Sequence, residues 1–491
     1  MNYIAFDLGG SGGKVVLASY KNGNLNITPL RHFEHNALSI GKHLYWDVLK
    51  IYDELVLGIA DAIDKTKDSI TSLGIDSFCN DFAIVSQSGE LITQVHSYRD
   101  ARTSIHESEI YNKIKPHQLY QINGNQCASF NTFMQLGAMV AEKEHYLLEN
   151  NNQLLFLPDL LHFFLSGKRI TEYTLASVSQ MFDYSTHFWS PEILESLMIP
   201  ESLFAPIVDP GVVFARTSAD FNKEMHTKGF SLTTVCEHDT GSAFLASVCG
   251  RNTALISCGT WALVGTEVDS PIINDFGYQY NIANEGGAPG SHHRILRNVM
   301  GTWIIQEIRA YYKSQGIIYS YSELEELATK GTPFQYYIDV DDSTFFSPGN
   351  MPEKIQNYCL NRYGSAPQNI GDMVLCIYEN LAYKFRWNME KLSQYTGKIF
   401  NSVNILGGGS QSRILCQLTA NVTQLSLEAG PVEATVLGNV IMQLIATKQI
   451  SSIEEGRYIV RNNFKTVSYL PQDNNLWAEN YKQYKNTLKL N

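Results

Sequence analysis

Two distant segments of the chain share one pattern, and that pattern limits the fold more than any other feature. The first runs Tyr3-Ile4-Ala5-Phe6-Asp7, then Leu8-Gly9-Gly10-Ser11-Gly12-Gly13, then Lys14-Val15-Val16-Leu17-Ala18-Ser19-Tyr20. The second runs Thr253-Ala254-Leu255-Ile256-Ser257, then Cys258-Gly259-Thr260-Trp261, then Ala262-Leu263-Val264-Gly265-Thr266-Glu267-Val268. Each reads as strand, small-residue turn, strand, because apolar runs flank a turn cluster and no helical period is present. One hairpin opens each half. A duplicated fold of two similar α/β domains would give this arrangement, with a boundary near Gly250. A chain of 491 residues has room for two such domains and their cores without disulfide staples.

Between and after the hairpins, strand and helix patterns alternate. Leu73-Gly74-Ile75-Asp76-Ser77 reads as a buried strand entering a polar site. Ala83-Ile84-Val85, Ser86 to Glu90 and Leu91-Ile92 read as a second kind of hairpin. Val403-Asn404-Ile405-Leu406 is a short strand, followed by Gly407-Gly408-Gly409-Ser410 and a helix with Ile414, Leu415 and Leu418 on one face. Leu425-Ser426-Leu427 follows. Leu437, Val440, Ile441, Leu444 and Ile445 then form a helical stripe. The polar, tyrosine-rich stretch after Glu454 reads as a C-terminal helix docking on the body.

Composition removes several classes. Lys plus Arg is 37 and Asp plus Glu is 49, so the net charge is −12. With no Lys/Arg cluster, neither nucleic acid nor an anionic membrane is an expected partner. No basic leader precedes an apolar run at the start, so no secretory signal is expected. The most apolar stretch, Leu154 to Leu165, is interrupted by Pro158, Asp159 and His162 and is too short to span a bilayer. The eight cysteines show no Cys-x-x-Cys pair, which argues against a zinc module. Reduced thiols and a cytoplasmic location are expected. Cys359 and Cys376 are close enough in sequence to meet across a short loop.

Three turns invite a phosphate reading, since glycine lets backbone N–H groups approach an anion. Gly9 to Lys14 has this character, and Lys14 adds charge. It is not a Walker loop, because Leu8 stands at the first glycine position and Val15 follows the lysine. It is not a dinucleotide fingerprint either, because Val15 stands at the third glycine and a strand follows instead of a helix. Gly407 to Ser410 precedes a helix, where a phosphate or Ser410 as N-cap would satisfy free N–H groups. His238-Asp239-Thr240-Gly241-Ser242 follows an expected strand, Thr233 to Cys236. A carboxylate there can accept a proton from a substrate hydroxyl as a phosphoryl group arrives, or it can cap the next helix. Taken together, two phosphate-sized hairpins, a strand–Gly-Gly-Gly–helix and a central carboxylate describe an ATP cleft between related domains.

The sequence resembles the FGGY carbohydrate kinases of the actin-like ATPase (ribonuclease H-like) fold, most closely their rhamnulokinase branch. The resemblance rests on Asp7 to Lys14, Tyr98-Arg99-Asp100-Ala101-Arg102-Thr103, Phe130-Asn131-Thr132 and Glu172-Tyr173-Thr174. It continues through His238-Asp239-Thr240, Ser257 to Trp261, Asn284-Glu285-Gly286-Gly287, Asn298 to Trp303, Gly407 to Gln411 and Ala429 to Ala434. These stand in family order from residue 7 to about 445. The resemblance implies an N-terminal domain over 1–249 for sugar and phosphate, a C-terminal domain over 250–455 for nucleotide, and a helical tail over 456–491. It implies a catalytic cleft between the two domains.

It implies residue roles as well. Gly10, Ser11, Gly12, Gly13, Lys14, Gly259 and Thr260 would face the ATP phosphates, and Gln306, Gly408 and Gly409 would line the nucleotide site. Asp7 would organise Mg²⁺ through water. Asp239 would be the general base. His238, Thr240 and Asn298 would bind the sugar. Lys14 stands where the branch often has arginine, a cation without the bidentate fork.

The chain departs from the branch at the sugar pocket. The usual Gly-Ile-Asp-Thr-Trp-Gly-Val-Asp reads Gly74-Ile75-Asp76-Ser77-Phe78-Cys79-Asn80-Asp81 here. Cys79, Asn80 and Asp81 would then touch substrate with altered volume and hydrogen bonding. The implied reaction transfers the ATP γ-phosphoryl to O1 of a 6-deoxy-L-ketohexose, L-rhamnulose first, with L-fuculose, L-ribulose or L-xylulose as alternatives. The small-molecule ketose would be the only partner, and the chain a monomer or homodimer. A non-catalytic sugar- and nucleotide-responsive regulator on the same fold would normally bring an appended DNA-binding segment, for which Tyr3 in the first strand leaves no room at the N-terminus, and the intact Asp239 also argues against it. The failed glycine fingerprint disfavours a dinucleotide enzyme.

Overall fold

The computed structural model describes residues 1–149, 151–290 and 292–490, so Asn491 of the expected tail lies outside the described residues. Two compact units are present. The first comprises Met1–Ala246, Glu267–Ile295 and Ala434–Asn463, and the second comprises Ser247–Thr266, Leu296–Glu433 and Phe464–Asn491.

The first unit is built on a six-stranded sheet. Its order is Val213–Arg216, Ser231–Thr233, Ser72–Ser77, Asn2–Gly9, Gly12–Lys21 and Asn24–Glu34. Asn2–Gly9 pairs antiparallel with Gly12–Lys21, as the sequence pattern requires, and parallel with Ser72–Ser77. Ser72–Ser77 is buried along its whole length, with polar Ser72, Asp76 and Ser77 included. The helix Val48–Thr66 covers one face with Ile51, Leu55, Ile59 and Ala62. Asp47 caps its start by accepting from Lys50 N at 3.1 Å.

On this unit the helix Ala434–Ala446 crosses the helix Asp239–Leu245 so closely that a Cβ at Gly438 would lie 1.7 Å from Ser242 O. Two polar side chains of Ala434–Ala446 reach the sheet. Gln443 Nε2 donates to Ile4 O at 2.9 Å, and Gln443 Oε1 accepts from Ser72 Oγ at 2.5 Å. Asn439 Nδ2 donates to Asp76 Oδ2 at 2.6 Å.

The expected hairpin at Ala83–Ile92 is reduced to one bridge, Val85 with Leu91. Its turn closes through Ser86 N to Glu90 O at 2.8 Å. Thr93 Oγ1 then takes the Ile84 N–H at 2.9 Å, and Phe82–Val85 pairs instead with Gln153–Phe156. The strand expected over Thr233–Cys236 ends at Thr233.

A seven-stranded sheet runs in the order Ala283–Glu285, His293–Met300, Trp261–Val268, Thr253–Cys258, Ser402–Leu406, Ser426–Ala429 and Val467–Tyr469. Thr253–Cys258 pairs antiparallel with Trp261–Val268 and parallel with Ser402–Leu406, repeating the pairing scheme of the first hairpin. The 27-residue helix Ile370–Thr396 is capped by Asn369, which accepts from Asp372 N at 2.9 Å, and ends at Gly397 with φ 71°. After Glu454 the chain forms helix, strand and helix: Ile453–Asn463, Val467–Tyr469 and Asn474–Leu488. The last helix docks through Trp477, Tyr481 and Tyr484 around Tyr383.

All eight cysteines are free thiols. Cys359 and Cys376 do meet, on consecutive helices, as a hydrogen-bonded thiol pair. Among the described residues, no helix is long and apolar enough to cross a membrane.

Candidate functional site

In the first unit the candidate residues gather where strands end. Asp7 faces Lys14 across the hairpin ladder, with Lys14 Nζ 3.2 Å from Asp7 Oδ2. Gly9 opposite Gly12 closes the turn, Ser11 is exposed, and Gly10 lies near the Tyr98 hydroxyl. Gly13 is fixed by packing, because a Cβ there would sit 2.4 Å from the Phe33 ring. Asp7 is also the register partner of Asp76 on the neighbouring parallel strand, so two carboxylates lie side by side. Burial and then the charge of Asp7 hold Asp76 well above the usual carboxylate range. Asp76 Oδ1 has no protein partner.

The next position in this line is the His238-Asp239 turn. Ser77 bridges His238 in parallel, and Ser77 N donates to Glu237 O at 2.8 Å. Asp239 opens the helix Asp239–Leu245, with its side chain 31% exposed while its neighbours are buried. Its Oδ1 accepts from Thr240 N at 2.5 Å and from Thr240 Oγ1 at 3.1 Å. Burial raises Asp239, the charge on His238 opposes that, and Asp7 adds to it.

His238 Nε2 is 3.6 Å from Asp239 Oδ1, and His238 Nδ1 is 3.3 Å from Glu285 Oε2. Burial pulls His238 down, but Cys79 and Glu285 outweigh it and hold the imidazole well above its ordinary value. Cys79 is itself pushed up by burial and is a neutral thiol at neutral pH. The lasting charge opposite the ring therefore belongs to Glu285.

The segment that departs from the family pattern forms a wall of this site. Asn80 takes a left-handed backbone with φ 78°, which asparagine tolerates better than valine does. Asn80 Nδ2 donates to Cys79 Sγ at 3.1 Å, and Thr132 Oγ1 donates to Asn80 O at 2.9 Å. Both oxygens of Asp81 are engaged by protein donors: Trp46 Nε1 at 2.6 Å, Tyr98 N at 2.9 Å and Gln135 Nε2 at 2.8 Å. Burial outweighs these donors and raises Asp81 to about 7. Asp81 thus anchors the loop that presents Cys79.

The second unit gathers its own set. Gly259 N donates to Trp261 O at 2.8 Å, closing the second hairpin turn. Thr260 O accepts from Gly301 N at 3.1 Å and from Trp303 N at 3.2 Å. Gly301 has no room for a side chain, since a Cβ would lie 2.6 Å from Trp261 C. Thr260 Oγ1 donates to Gln306 Oε1 at 3.3 Å, and Gln306 Nε2 donates to Thr302 Oγ1 at 3.1 Å. Gly409 packs on Cys258, where a Cβ would meet Sγ at 2.5 Å, while Gly408 has open space around it. Ser412, not Ser410, caps the helix Arg413–Thr423. A 3₁₀ turn over Gly408–Gln411 intervenes and turns the Ser410 hydroxyl back to Gly407 O. Asn298 lies on His293–Met300, and its Oδ1 is buried without a protein partner.

Sequence reasoning did not single out Arg294, Asn439, Trp46 or Gln135. Nothing in a local pattern marks an arginine in mid-strand as buried. The Glu285 signal was present in the Asn284-Glu285-Gly286-Gly287 motif, but without a role.

The N-terminal domain model of the FGGY family of carbohydrate kinases matches residues 2–246, and the C-terminal domain model matches residues 254–447. The chain belongs to the FGGY family of carbohydrate kinases, and it is an enzyme of that class. Within it, the chain is similar to proteins named rhamnulokinase. It is 34% identical to that of Bacillus subtilis (strain 168) over 96% of each chain. It is 36% identical to that of Enterococcus faecalis over 95% of this chain and 94% of the other. It is 32% identical to that of Bacteroides thetaiotaomicron over 99% of both. Among solved structures it resembles a ligand-bound xylulose kinase from Lactobacillus acidophilus, with TM-score 0.81 and 15% identity over 100% of this chain and 98% of that one. It also resembles Plasmodium falciparum glycerol kinase with ADP, with TM-score 0.79 and 13% identity over 99% and 97%. These likenesses carry the two-domain α/β, actin-like ATPase fold expected from the sequence.

Proposed function

We propose that the chain transfers the γ-phosphoryl group of ATP to O1 of L-rhamnulose. One observation supports this above the others: an accessible carboxylate, Asp239, heads a buried helix beside an imidazole held in its charged form. Similarity to rhamnulokinases over nearly the whole chain supplies the substrate class. In this reading Asp239 accepts the O1 proton as the hydroxyl attacks. His238, Thr240, Cys79 and Asn80 orient the ketose, and the unpartnered Asn298 Oδ1 takes a hydroxyl donor. Asp81 contributes by fixing the loop of Cys79. Gly10, Ser11, Gly12, Gly13 and Lys14 in the N-terminal domain, with Gly259 and Thr260 in the C-terminal one, hold phosphate oxygens. Gln306, Gly408 and Gly409 hold the nucleoside part. Such transfers depend on positioning and electrostatics more than on covalent help from the protein.

Asp7 fits a Mg²⁺ site. It adjoins Asp76, whose Oδ1 is unpartnered, and Lys14 is the cation paired with Asp7. When bound, Mg²⁺ supplies neutralisation of phosphate charge.

A second reading takes L-fuculose or another ketose as substrate, and it draws on Phe78-Cys79-Asn80. Initial rates of ADP release across L-rhamnulose, L-fuculose, L-ribulose and L-xylulose test both. The first reading expects the highest kcat/KM for L-rhamnulose, and a higher value for any other ketose would replace it.

A further inference from the structure

We propose that Glu285, held by Arg294, is a positioning residue for the kinase site. It keeps a proton on His238 Nδ1, which leaves Nε2, 3.6 Å from Asp239 Oδ1, as the nitrogen available to the sugar. The inference rests on the kinase reading of Asp239 and His238 and adds what sets the state of the histidine. Glu285 Oε2 accepts from Arg294 Nη2 at 2.9 Å and from Arg294 Nε at 3.3 Å, and lies 3.3 Å from His238 Nδ1. All three residues are almost wholly buried. The ionisable groups facing His238 are Cys79 from the loop after Ser72–Ser77, Asp239 from its own helix, Glu285, and Arg294 from His293–Met300.

The surrounding charges decide the protonation state of the ring. Arg294 Nη2 also stands 3.4 Å from Nδ1 and can only donate; one of its two N–H groups goes to Glu285 Oε2 at 2.9 Å, and Glu285 Oε2, at 3.3 Å from Nδ1, is the acceptor that favours a proton on that nitrogen. An unprotonated Nδ1 would turn its lone pair toward a buried carboxylate. With a proton on both ring nitrogens, His238 and Arg294 balance Glu285 and Asp239. A neutral ring would leave the partly exposed Asp239 carboxylate without the cation 3.6 Å from it.

Packing explains the rest of the Asn284-Glu285-Gly286-Gly287 motif but not its glutamate. Asn284 Nδ2 donates to Gly124 O at 2.9 Å and Ile272 O at 2.7 Å. A Cβ at Gly286 would meet the Tyr173 ring at 2.6 Å, and one at Gly287 would meet His292 O at 1.6 Å. These neighbours fix the end of the strand Ala283–Glu285, and Glu285 reaches Arg294 and His238 from it. The Arg294 guanidinium in turn lies flush on the helix of Asp239, where a Cβ at Gly241 would be 2.0 Å from Nη1.

The test uses the full chain with ¹⁵N-labelled histidine, the His238 signals being assigned by their loss in His238→Gln. In the wild type, long-range ¹H–¹⁵N spectra should show His238 protonated on Nδ1 and still imidazolium at pH 7. In Glu285→Gln the ring should titrate well below its wild-type value, at or under the ordinary histidine value of about 6.5, because burial and the neighbouring Arg294 then oppose its charge. That variant should lose about tenfold or more in kcat/KM for the ketose, with KM for ATP within about twofold. Glu285→Asp should recover part of the loss. A neutral, Nε2-protonated His238 in the wild type at pH 7 overturns the proposal, and this spectrum decides even if Glu285→Gln does not fold. Glu285→Gln with unchanged titration and unchanged ketose kinetics overturns it too. The kinase reading fails separately, if Asp239→Asn keeps its turnover while the His238 spectrum is as expected.

Discussion

A carboxylate can take a proton from a sugar hydroxyl only if it is reachable, ionised and not already saturated by donors. Asp239 meets these conditions where its neighbours do not. Asp76 is wholly buried, with its carboxyl held well above the usual range by burial and the charge of Asp7, and Asp81 has both oxygens occupied. Asp239→Asn keeps the shape and the Thr240 contact but cannot accept the proton. We expect kcat to fall by at least about 10²–10⁴-fold while ATP affinity stays close to wild type. The pH profile should change with it. In the wild type, burial raises Asp239, so the rate is lost as pH falls through a value above the ordinary carboxylate range. The residual rate of Asp239→Asn should lack that limb. Single-turnover rates and nucleotide titration from pH 5 to 8 check this, and equal loss of ATP binding would make the residue structural. Asp239 was legible in the sequence because His-Asp-Thr followed an apolar stretch, even though the strand ends at Thr233. Arg294 was not, because a pattern shows where apolar residues recur and not which polar ones find partners inside.

Elements were legible where apolar spacing set them. Both hairpins form where the turn clusters lie, and the stripe from Leu437 to Ile445 is the helix Ala434–Ala446. The same stripe concealed Asn439 and Gln443, whose bonds reach Asp76, Ser72 and Ile4 hundreds of positions away in the chain. The long helix Ile370–Thr396 hides a similar group. Glu379 is buried there, both oxygens lie 3.2 Å from Phe334 N, and burial pushes it up to about 8. In the unfolded chain it titrates near about 4.3. Between those values the unfolded state sheds a proton that the folded state keeps. Stability from this group is therefore full at low pH and drains away as pH rises toward 8. Glu379→Gln retains the acceptor for Phe334 N and removes the titration. Its thermal midpoint should exceed that of the wild type by a margin that widens from pH 5 to pH 8, reaching a few degrees. Calorimetry at those two pH values measures the margin, and a constant or shrinking gap contradicts the assignment.

At the scale of the whole molecule, the repeated hairpin scheme carries different side chains at its two turns. The first turn is followed by a cation, Lys14, paired with Asp7. The second has a hydroxyl, Thr260, whose backbone is tied by Gly301 N and Trp303 N whatever its side chain does. Removing the hydroxyl should therefore leave the turn in place and subtract only what it offers a ligand. If the C-terminal domain handles nucleotide and the N-terminal domain handles the ketose, the loss must fall on one substrate. Thr260→Ala should raise KM for ATP about tenfold, a loss in the range of one charge-assisted hydrogen bond, and leave KM for the ketose within about twofold. Initial rates with each substrate varied in turn separate the two. A rise confined to the ketose would reverse the division of labour. A rise in both with a lowered thermal midpoint would show that the hydroxyl supports the turn after all, through Gln306.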